Sequence, residues 1–304
     1  MVNHNIMVFL AGRGKRVKTV CYKAVGDVHL LGDFYSTGQA NSPVVVYIHG
    51  GGFIFGSRGE IPRDQIEGYN TAGFHVFSMD YRLAPETRLT AIAEDILDAI
   101  HWLQSDASAE LGIEPSSIGV VGHSAGGYLA LLAGAREPKL RAVVSFYGYG
   151  DIRAAWATGA SSHYLQKPIV PRKLADQLIA GEVLTEASVQ QRFGLYLYCR
   201  QQGTWVQEVT GLDPEWDQSE LQALCPVEAV TAQYPPTLLL HGEQDNDVPY
   251  TQSVQMAERL EQVGVAHTLI TLPGEDHLFD LQKDKESVRH VFAQELDFLR
   301  DHLL

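Results

Sequence analysis

Cysteine is scarce in this chain, with three residues among 304, and this scarcity excludes a fold stapled by disulfides. Cys21, Cys199 and Cys225 form neither a CxxC pair nor a spacing typical of metal ligands, and their odd number leaves one unpaired. We therefore expect reduced thiols and no metal site, as in a cytoplasmic protein.

Basic residues are also few, since 23 Lys and Arg stand against 37 Asp and Glu and the formal net charge is −14. Basic surfaces bind nucleic acids and anionic membranes, so neither is an expected partner. A long hydrophobic run is missing as well. The apolar stretch at residues 6–11 is too short to span a bilayer, and its basic residues follow it, whereas a secretory signal carries them in front. We expect a cytoplasmic location.

Apolar residues make up 45% of the chain and are arranged in strand-like runs that alternate with helix-like segments. This alternation predicts an α/β fold, with a mainly parallel central sheet and helices on both faces. Two runs near the start, residues 19–24 and 28–35, are expected to form an antiparallel pair at one edge of the sheet.

One connection in this pattern is unusually long. Roughly ninety residues separate the strand-like runs that end near residue 146 and begin near residue 237, far more than an ordinary crossover needs. We therefore predict a core formed by residues 1–151 and 234–304, with a helical cap inserted over residues 152–233.

A serine flanked by glycines follows one of the strand-like runs. Ser124 is the centre of Gly-His-Ser-Ala-Gly at 122–126, between a β-branched run and an Ala/Leu-rich segment. At such a joint the chain turns sharply and exposes the serine hydroxyl, while the glycines remove Cβ atoms that would collide. The turn predicts a nucleophile for acyl transfer, although a tight helix-start turn without catalytic role has a similar composition.

Three successive glycines follow an earlier strand-like run, in His-Gly-Gly-Gly-Phe at 49–53. Glycines cost conformational entropy on folding, so a function should require them. A backbone without side chains can bring its N–H groups close to a substrate oxygen. We expect the N–H groups of Gly51 and Gly52, with that of Ala125 after the nucleophile, to form an oxyanion hole.

These two motifs, with Asp-Tyr-Arg-Leu-Ala-Pro-Glu at 80–86, resemble the α/β-hydrolase superfamily and, within it, the hormone-sensitive-lipase-like carboxylesterases. The resemblance runs from about residue 44 to the C-terminus, apart from the insertion. It implies an α/β-hydrolase fold and a Ser–acid–His triad that works without a metal or organic cofactor. His123 departs from it, because that family carries an acidic residue there. With a histidine directly before the nucleophile, the chain is more similar to small esterases that act on feruloyl or acetyl groups of plant polysaccharides, or to formamidase-type hydrolases.

The acid and the base of the triad fall after the last two strand-like runs. In the resembling families the acid lies three residues after a His-Gly pair and three before Val-Pro, which matches Asp245. Asp247 and Asp151 stay open as alternatives. His277 has the position of the general base, whose neutral imidazole can take the Ser124 proton and return it to the leaving group.

The inserted segment is rich in aromatic residues, which would either line an acyl or aryl pocket or form the core of the cap itself. The residues expected to bind substrate are Phe53, His123, Trp156, Tyr164 and Trp205. His123 is also expected to support the turn of the nucleophile through hydrogen bonds. The stretch 80–86 and Asp95 are interpreted as structural, with 80–86 forming a buried ion-pair corner.

Together these features predict a serine carboxylesterase that hydrolyses short-chain acyl or small aryl esters through an acyl-enzyme. The alternatives are a feruloyl or acetyl polysaccharide esterase, an amidase, formamidase or peptidase with the same triad, and a non-catalytic ligand-binding protein of this fold. The expected partner is a small-molecule ester. The oligomeric state stays open, with a homodimer among the options.

Overall fold

The structure is a computed structural model that describes residues 17–105 and 107–304. The apolar stretch at 6–11 and the basic residues Arg13, Lys15 and Arg16, which entered the prediction of location, lie outside these ranges. Within the described ranges, no helix is both long enough and apolar enough to cross a membrane.

A single sheet of eight strands forms the centre of the described chain. The strands are β1 (Val17–Val25), β2 (Val28–Tyr35), β3 (Ser42–Ile48), β4 (His75–Met79), β5 (Ile113–His123), β6 (Ala142–Phe146), β7 (Thr237–Gly242) and β8 (His267–Leu272). They lie in the order β1-β2-β4-β3-β5-β6-β7-β8. β2 pairs antiparallel with β1 and β4, and all later neighbours are parallel. The predicted α/β fold with its antiparallel edge is confirmed.

Helices connect the strands and cover both faces of the sheet. They are α1 (Arg63–Ala72), α2 (Leu89–Gln104), α3 (Ser108–Leu111), α4 (Ala125–Arg136), α5 (Ala155–Thr158), α6 (Arg172–Gln177), α7 (Val189–Gln202), α8 (Trp205–Thr210), α9 (Gln218–Gln222), α10 (Pro226–Ala229), α11 (Thr251–Gln262) and α12 (Glu286–Leu303). Short 3₁₀ turns occur at Arg58–Glu60, Tyr164–Gln166 and Phe279–Leu281.

Two apolar clusters explain why the inner strands are continuous apolar runs. α1 and α12 pack on one face of the sheet, while α2, α4 and α11 pack on the other. β3, β4, β6 and β7 are therefore buried along their whole length. Strands covered on both faces need apolar side chains on both faces, which is why they lack the alternation of a half-exposed strand.

The chain between β6 and β7 forms the helices α5 to α10, which span residues 155–229 and are called the helical segment below. This range falls inside the residues 152–233 for which a cap is expected. α7 begins with a capping box, in which Ser188 and Gln191 each bond the other's backbone N–H, and ends at Gly203 in the left-handed conformation.

Candidate active site

Ser124 lies at the turn between β5 and α4. Its backbone has φ 56° and ψ −117°, in a region that residues with a side chain rarely adopt. A Cβ atom at Gly122 would lie 2.0 Å from the Gly126 carbonyl oxygen, and one at Gly126 would lie 2.1 Å from the Ile48 carbonyl oxygen. Both positions therefore need glycine, and the tight turn places Ser124 at the N-terminus of α4.

Two further side chains reach this turn from the loops after β7 and β8. His277 Nε2 lies 3.1 Å from Ser124 Oγ, and His277 Nδ1 lies 2.7 Å from Asp245 Oδ2. Asp245 Oδ1 accepts hydrogen bonds from the backbone N–H groups of Asp247 and Val248, at 2.9 and 2.8 Å, which fix the carboxylate. Hydroxyl, imidazole and carboxylate thus stand in the order that nucleophilic catalysis uses.

The charges around His277 favour its protonated form. Burial lowers the pKa of His277, but the hydrogen bond and charge of Asp245 and the charges of Asp247 and Asp280 outweigh it, so the pKa lies above its ordinary value. Burial raises the pKa of Asp245, but hydrogen bonds and charges from His241 and His277 outweigh it, and the pKa lies well below its usual range. An ionised Asp245 is therefore available to stabilise an imidazolium.

The two alternative acids have other partners. Asp247 accepts hydrogen bonds from the Tyr196 hydroxyl at 2.8 and 2.9 Å, and its Oδ2 lies 3.9 Å from Nε2 of His277, on the side that faces the serine. Asp151 is paired with the Arg153 guanidinium at 2.9 Å. Among the described residues, Asp245 alone hydrogen-bonds Nδ1 of His277.

The glycine loop after β3 lies beside the same turn. Gly51 and Gly52 have φ values of 97° and 59°, and a Cβ atom at Gly52 would lie 2.5 Å from the Tyr196 ring. Within the described chain, the N–H groups of Gly51, Gly52 and Ala125 donate to no protein acceptor. They are therefore free to donate to a substrate oxygen.

The stretch 80–86 holds this loop in place, as the structural interpretation requires. The Tyr81 hydroxyl donates to the carbonyls of His49 and Gly50 at 3.0 and 3.1 Å, and the Tyr81 ring stacks on the His49 ring at 4.2 Å. Burial lowers the pKa of His49 to about 4, so this ring is neutral. Three ion pairs surround the stretch: Asp80 with Arg58, Arg82 with Asp95, and Glu86 with Arg192.

A cavity of about 530 Å³ opens onto Ser124. Its aromatic walls consist of Tyr47, Phe55, Tyr147, Tyr164, Phe193 and Tyr196. Of the residues expected to bind substrate, His123 and Tyr164 lie on the wall, whereas Phe53, Trp156 and Trp205 do not.

Those three side chains pack on one another behind the wall, so the expectation that they line the pocket is wrong. The rings of Phe53 and Trp205 stack with centroids 5.7 Å apart, and Trp156 lies 5.9 Å from Trp205. Phe53 and Trp205 are fully buried. A hydrogen bond as well as apolar packing keeps Trp205 away from the cavity. Its Nε1–H donates to the Gly52 carbonyl at 3.2 Å, which points the indole inward.

His123 also differs from its expectation. Its ring stacks on Phe146 at 4.4 Å, and neither ring nitrogen hydrogen-bonds any described residue. The Asp280 carboxylate lies 3.6 Å from Nε2. Because burial lowers the pKa of His123, the ring is neutral, and it supports the turn by packing instead of by hydrogen bonds.

Sequence reasoning missed Tyr147, whose ring contacts the His277 ring at 4.5 Å and whose hydroxyl donates to Asp280. A signal was present, because Tyr147 follows β6 directly. In open α/β sheets, the residues just beyond the carboxyl ends of the strands form the ligand site. Tyr196 was missed for a different reason: only the packing of α7 shows which of its aromatic rings faces the cavity.

The sheet order and the turn after β5 define an esterase-like α/β-hydrolase fold. Within that class, residues 33–260 match the BD-FAE family, and the chain belongs to it. The resemblance to the α/β-hydrolase superfamily predicted from the sequence is thereby confirmed.

Two solved structures illustrate the fold. The chain is 25% identical to an esterase of Pyrobaculum calidifontis, with a TM-score of 0.68 and coverage of 94% of this chain and 85% of that one. It is also 25% identical to a Staphylococcus aureus protein of unknown function, with a TM-score of 0.75 and coverage of 91% and 96%.

Curated relatives are much longer proteins. The chain is 28% identical to the non-reducing polyketide synthase pkbA of Emericella nidulans over 94% of its own length. It spans only 14% of the length of that relative.

Proposed function

We propose that this protein is a serine carboxylesterase that hydrolyses short-chain acyl or small aryl esters through an acyl-enzyme. The observation that carries the proposal is the hydrogen-bonded chain from Ser124 through His277 to Asp245, at a strained turn that opens into a cavity. The esterase among the similar structures supports the same class.

In the acylation step, Ser124 Oγ attacks the ester carbonyl while His277 Nε2 takes the hydroxyl proton. The resulting imidazolium is stabilised at Nδ1 by the ionised carboxylate of Asp245. When the tetrahedral intermediate collapses, Nε2 gives its proton to the departing alcohol oxygen. The serine is left acylated.

The negative charge of the intermediate would be held by the N–H groups of Gly51, Gly52 and Ala125. Losing one such donor typically lowers turnover by about 10²–10³-fold, because the donor acts mainly on the transition state. In the second step His277 deprotonates a water molecule, which attacks the acyl carbonyl. The carboxylic acid leaves and Ser124 regains its proton.

The substrate range follows from the size and lining of the cavity. Its volume of about 530 Å³ lies within the usual range for small-ligand sites, roughly 300–1,000 Å³. Aromatic walls suit a short acyl chain or one aryl ring. We therefore expect the highest kcat/KM on acetyl to about hexanoyl esters or small aryl esters, with a steep fall for long chains.

The polyketide synthase relatives favour a second candidate, hydrolysis of an acyl thioester. The attack by Ser124 would be the same, with a thiol in place of the alcohol as leaving group. The released products would be a carboxylic acid and a free thiol.

A substrate panel tests the proposal. It contains p-nitrophenyl esters from acetyl to palmitoyl, a feruloyl ester, an acetyl N-acetylcysteamine thioester, an acyl anilide and an emulsified long-chain triglyceride. We expect short-chain or aryl esters to give the highest kcat/KM. Ser124→Ala should lower turnover by roughly 10⁴- to 10⁶-fold without a change in Tm. A thioester that leads the panel supports the second candidate instead. Absence of turnover on every substrate, or a rate jump on emulsified long-chain triglyceride, contradicts the proposal.

A further inference from the structure

The oxyanion loop, defined as residues 51–53, has an unusual backbone. Its three residues have φ values of 97°, 59° and 65°, so all three lie in the left-handed region. Glycine adopts such values at little cost, but Phe53 carries a side chain and is strained there. Such strain persists only where surrounding contacts hold the residue in place.

Trp205, at the start of α8 in the helical segment, supplies two of those contacts, beside the Ala84 N–H group, which donates to the Phe53 carbonyl at 2.8 Å, and the Tyr128 ring, which packs against the Phe53 ring. Its Nε1–H donates to the Gly52 carbonyl at 3.2 Å, and its indole lies nearly parallel to the Phe53 ring, with an angle of 12° between them. Among the described residues no other group donates to this carbonyl. Trp205 is 1% exposed, so water does not compete for the bond.

This hydrogen bond fixes one particular peptide plane. The Gly52 carbonyl and the Phe53 N–H belong to the same planar peptide, so the bond fixes both ψ of Gly52 and φ of Phe53. Rotation of this peptide would return Phe53 to a negative φ and release its strain. Gly52 is the pivot of that rotation, and its N–H group, in the adjoining peptide, is a proposed oxyanion donor, so freedom at ψ of Gly52 would let this donor shift.

We propose that Trp205 is a positioning residue for the oxyanion hole: its indole N–H locks the Gly52–Phe53 peptide, so that the N–H groups of Gly51 and Gly52 stay aimed into the cavity. The inference rests on the proposed esterase function. It assigns to the helical segment a part in catalysis beyond the shaping of a pocket, because an intact oxyanion hole then requires α8.

The test compares Trp205→Phe with Trp156→Phe as a matched control. Trp156 belongs to the same aromatic cluster, but its Nε1–H donates to the Asp151 carbonyl at 3.3 Å. We expect Trp205→Phe to lower kcat by about 10- to 10²-fold with little change in KM, since a small misplacement of a catalytic group has effects of this size. Trp156→Phe should keep the wild-type kcat.

The Ki of a transition-state analogue separates a positioning role from a merely structural one, because a structural role would leave this Ki unchanged. An alkyl trifluoromethyl ketone adds to Ser124 and forms a hemiketal oxyanion, which occupies the oxyanion hole. In Trp205→Phe its Ki should rise by the same factor by which kcat/KM falls. In Trp156→Phe the Ki should match that of the wild type.

A second variant guards against a folding defect. Trp205→3-benzothienylalanine replaces the indole N–H by sulfur and keeps the ring, so it removes the hydrogen bond alone. The same loss of kcat and the same rise in Ki support the proposal. The proposal is overturned if this variant keeps the wild-type kcat and Ki, or if only KM changes. It is also overturned if Trp205→Phe and Trp156→Phe lower kcat equally. If the wild-type protein hydrolyses no ester, the proposed function fails instead.

Discussion

Around His277 three carboxylates act on one imidazole from different sides. Asp245 bonds Nδ1 and fixes the tautomer, so that Nε2 is the nitrogen left to face Ser124. Asp247 lies 3.9 Å from Nε2 and is held by the Tyr196 hydroxyl. Asp280, which accepts a hydrogen bond from the hydroxyl of Tyr147, adds a third negative charge near the imidazole. Position relative to the two ring nitrogens therefore distinguishes acids that are close in sequence.

The first prediction separates the two acids on the loop after β7. Asp245→Asn should lower kcat by about 10⁴-fold, because an amide can hold His277 in the wrong tautomer. Asp247→Asn removes a charge but leaves the Nδ1 bond intact, so its kcat at pH 8 should stay within about tenfold of the wild type. Steady-state kinetics on p-nitrophenyl acetate measures both. A crippled Asp247→Asn beside a nearly normal Asp245→Asn would transfer the acid role.

The second prediction concerns pH. Because protonated His277 cannot take the Ser124 proton, kcat/KM should fall on the acid side of the profile. The raised pKa of His277 places the midpoint of that fall above 6.5. Removing one nearby negative charge in Asp247→Asn should move the midpoint to lower pH. A wild-type midpoint at or below 6.5, measured on a neutral ester, would contradict the assigned electrostatics.

Between the two helices that cover one face of the sheet, α1 and α12, lies a buried polar contact. The Tyr69 hydroxyl donates to Glu295, and the Gln65 amide donates to the Tyr69 hydroxyl at 2.7 Å. Glu295 is fully buried, and its second carboxyl oxygen has no partner among the described residues. Burial raises the pKa of Glu295 to about 8, so the carboxyl is mostly neutral at pH 7.

The third prediction follows from this contact. The folded protein keeps the Glu295 proton to about pH 8, whereas the unfolded chain loses it near 4.5. The contribution of this proton to the free energy of unfolding is complete below pH 4.5 and is lost as pH rises to about 8, a change of about 5 kcal/mol at most. Glu295→Gln has no proton to lose. Its Tm relative to the wild type should therefore increase from pH 5 to pH 9 in calorimetry, and a constant difference would refute the assignment.

Over the whole molecule, the features that could be predicted from the sequence are those that depend on residues close together in the chain. The strands and the turn at Ser124 follow from apolar runs and glycine spacing, which depend on near neighbours. The loop positions of Asp245 and His277 are predicted from the resemblance to the α/β-hydrolases, after strands that the apolar runs indicate. The direction in which each aromatic side chain points does not follow from such local patterns. Trp205 points inward because a buried indole N–H needs an acceptor, and the Gly52 carbonyl that provides it lies more than 150 positions earlier.

The helical segment contacts both halves of the proposed site. Trp205 bonds the oxyanion loop, while Tyr196 packs on Gly52 and bonds Asp247 on the loop that carries the acid. Such contacts join chain positions far apart, so no local motif in the sequence indicates them. They explain why this segment, which has no strand of its own among its described residues, belongs structurally to the centre of the molecule.

The nucleophilic role of Ser124 is the central claim, and covalent labelling tests it most directly. A fluorophosphonate reacts much faster with a serine that a neighbouring base activates than with an ordinary hydroxyl. Intact mass and peptide mapping should show one adduct per chain, on Ser124. Labelling should be absent in Ser124→Ala and strongly slowed in His277→Ala. An adduct on another residue, or equal labelling of the wild type and Ser124→Ala, would contradict the account.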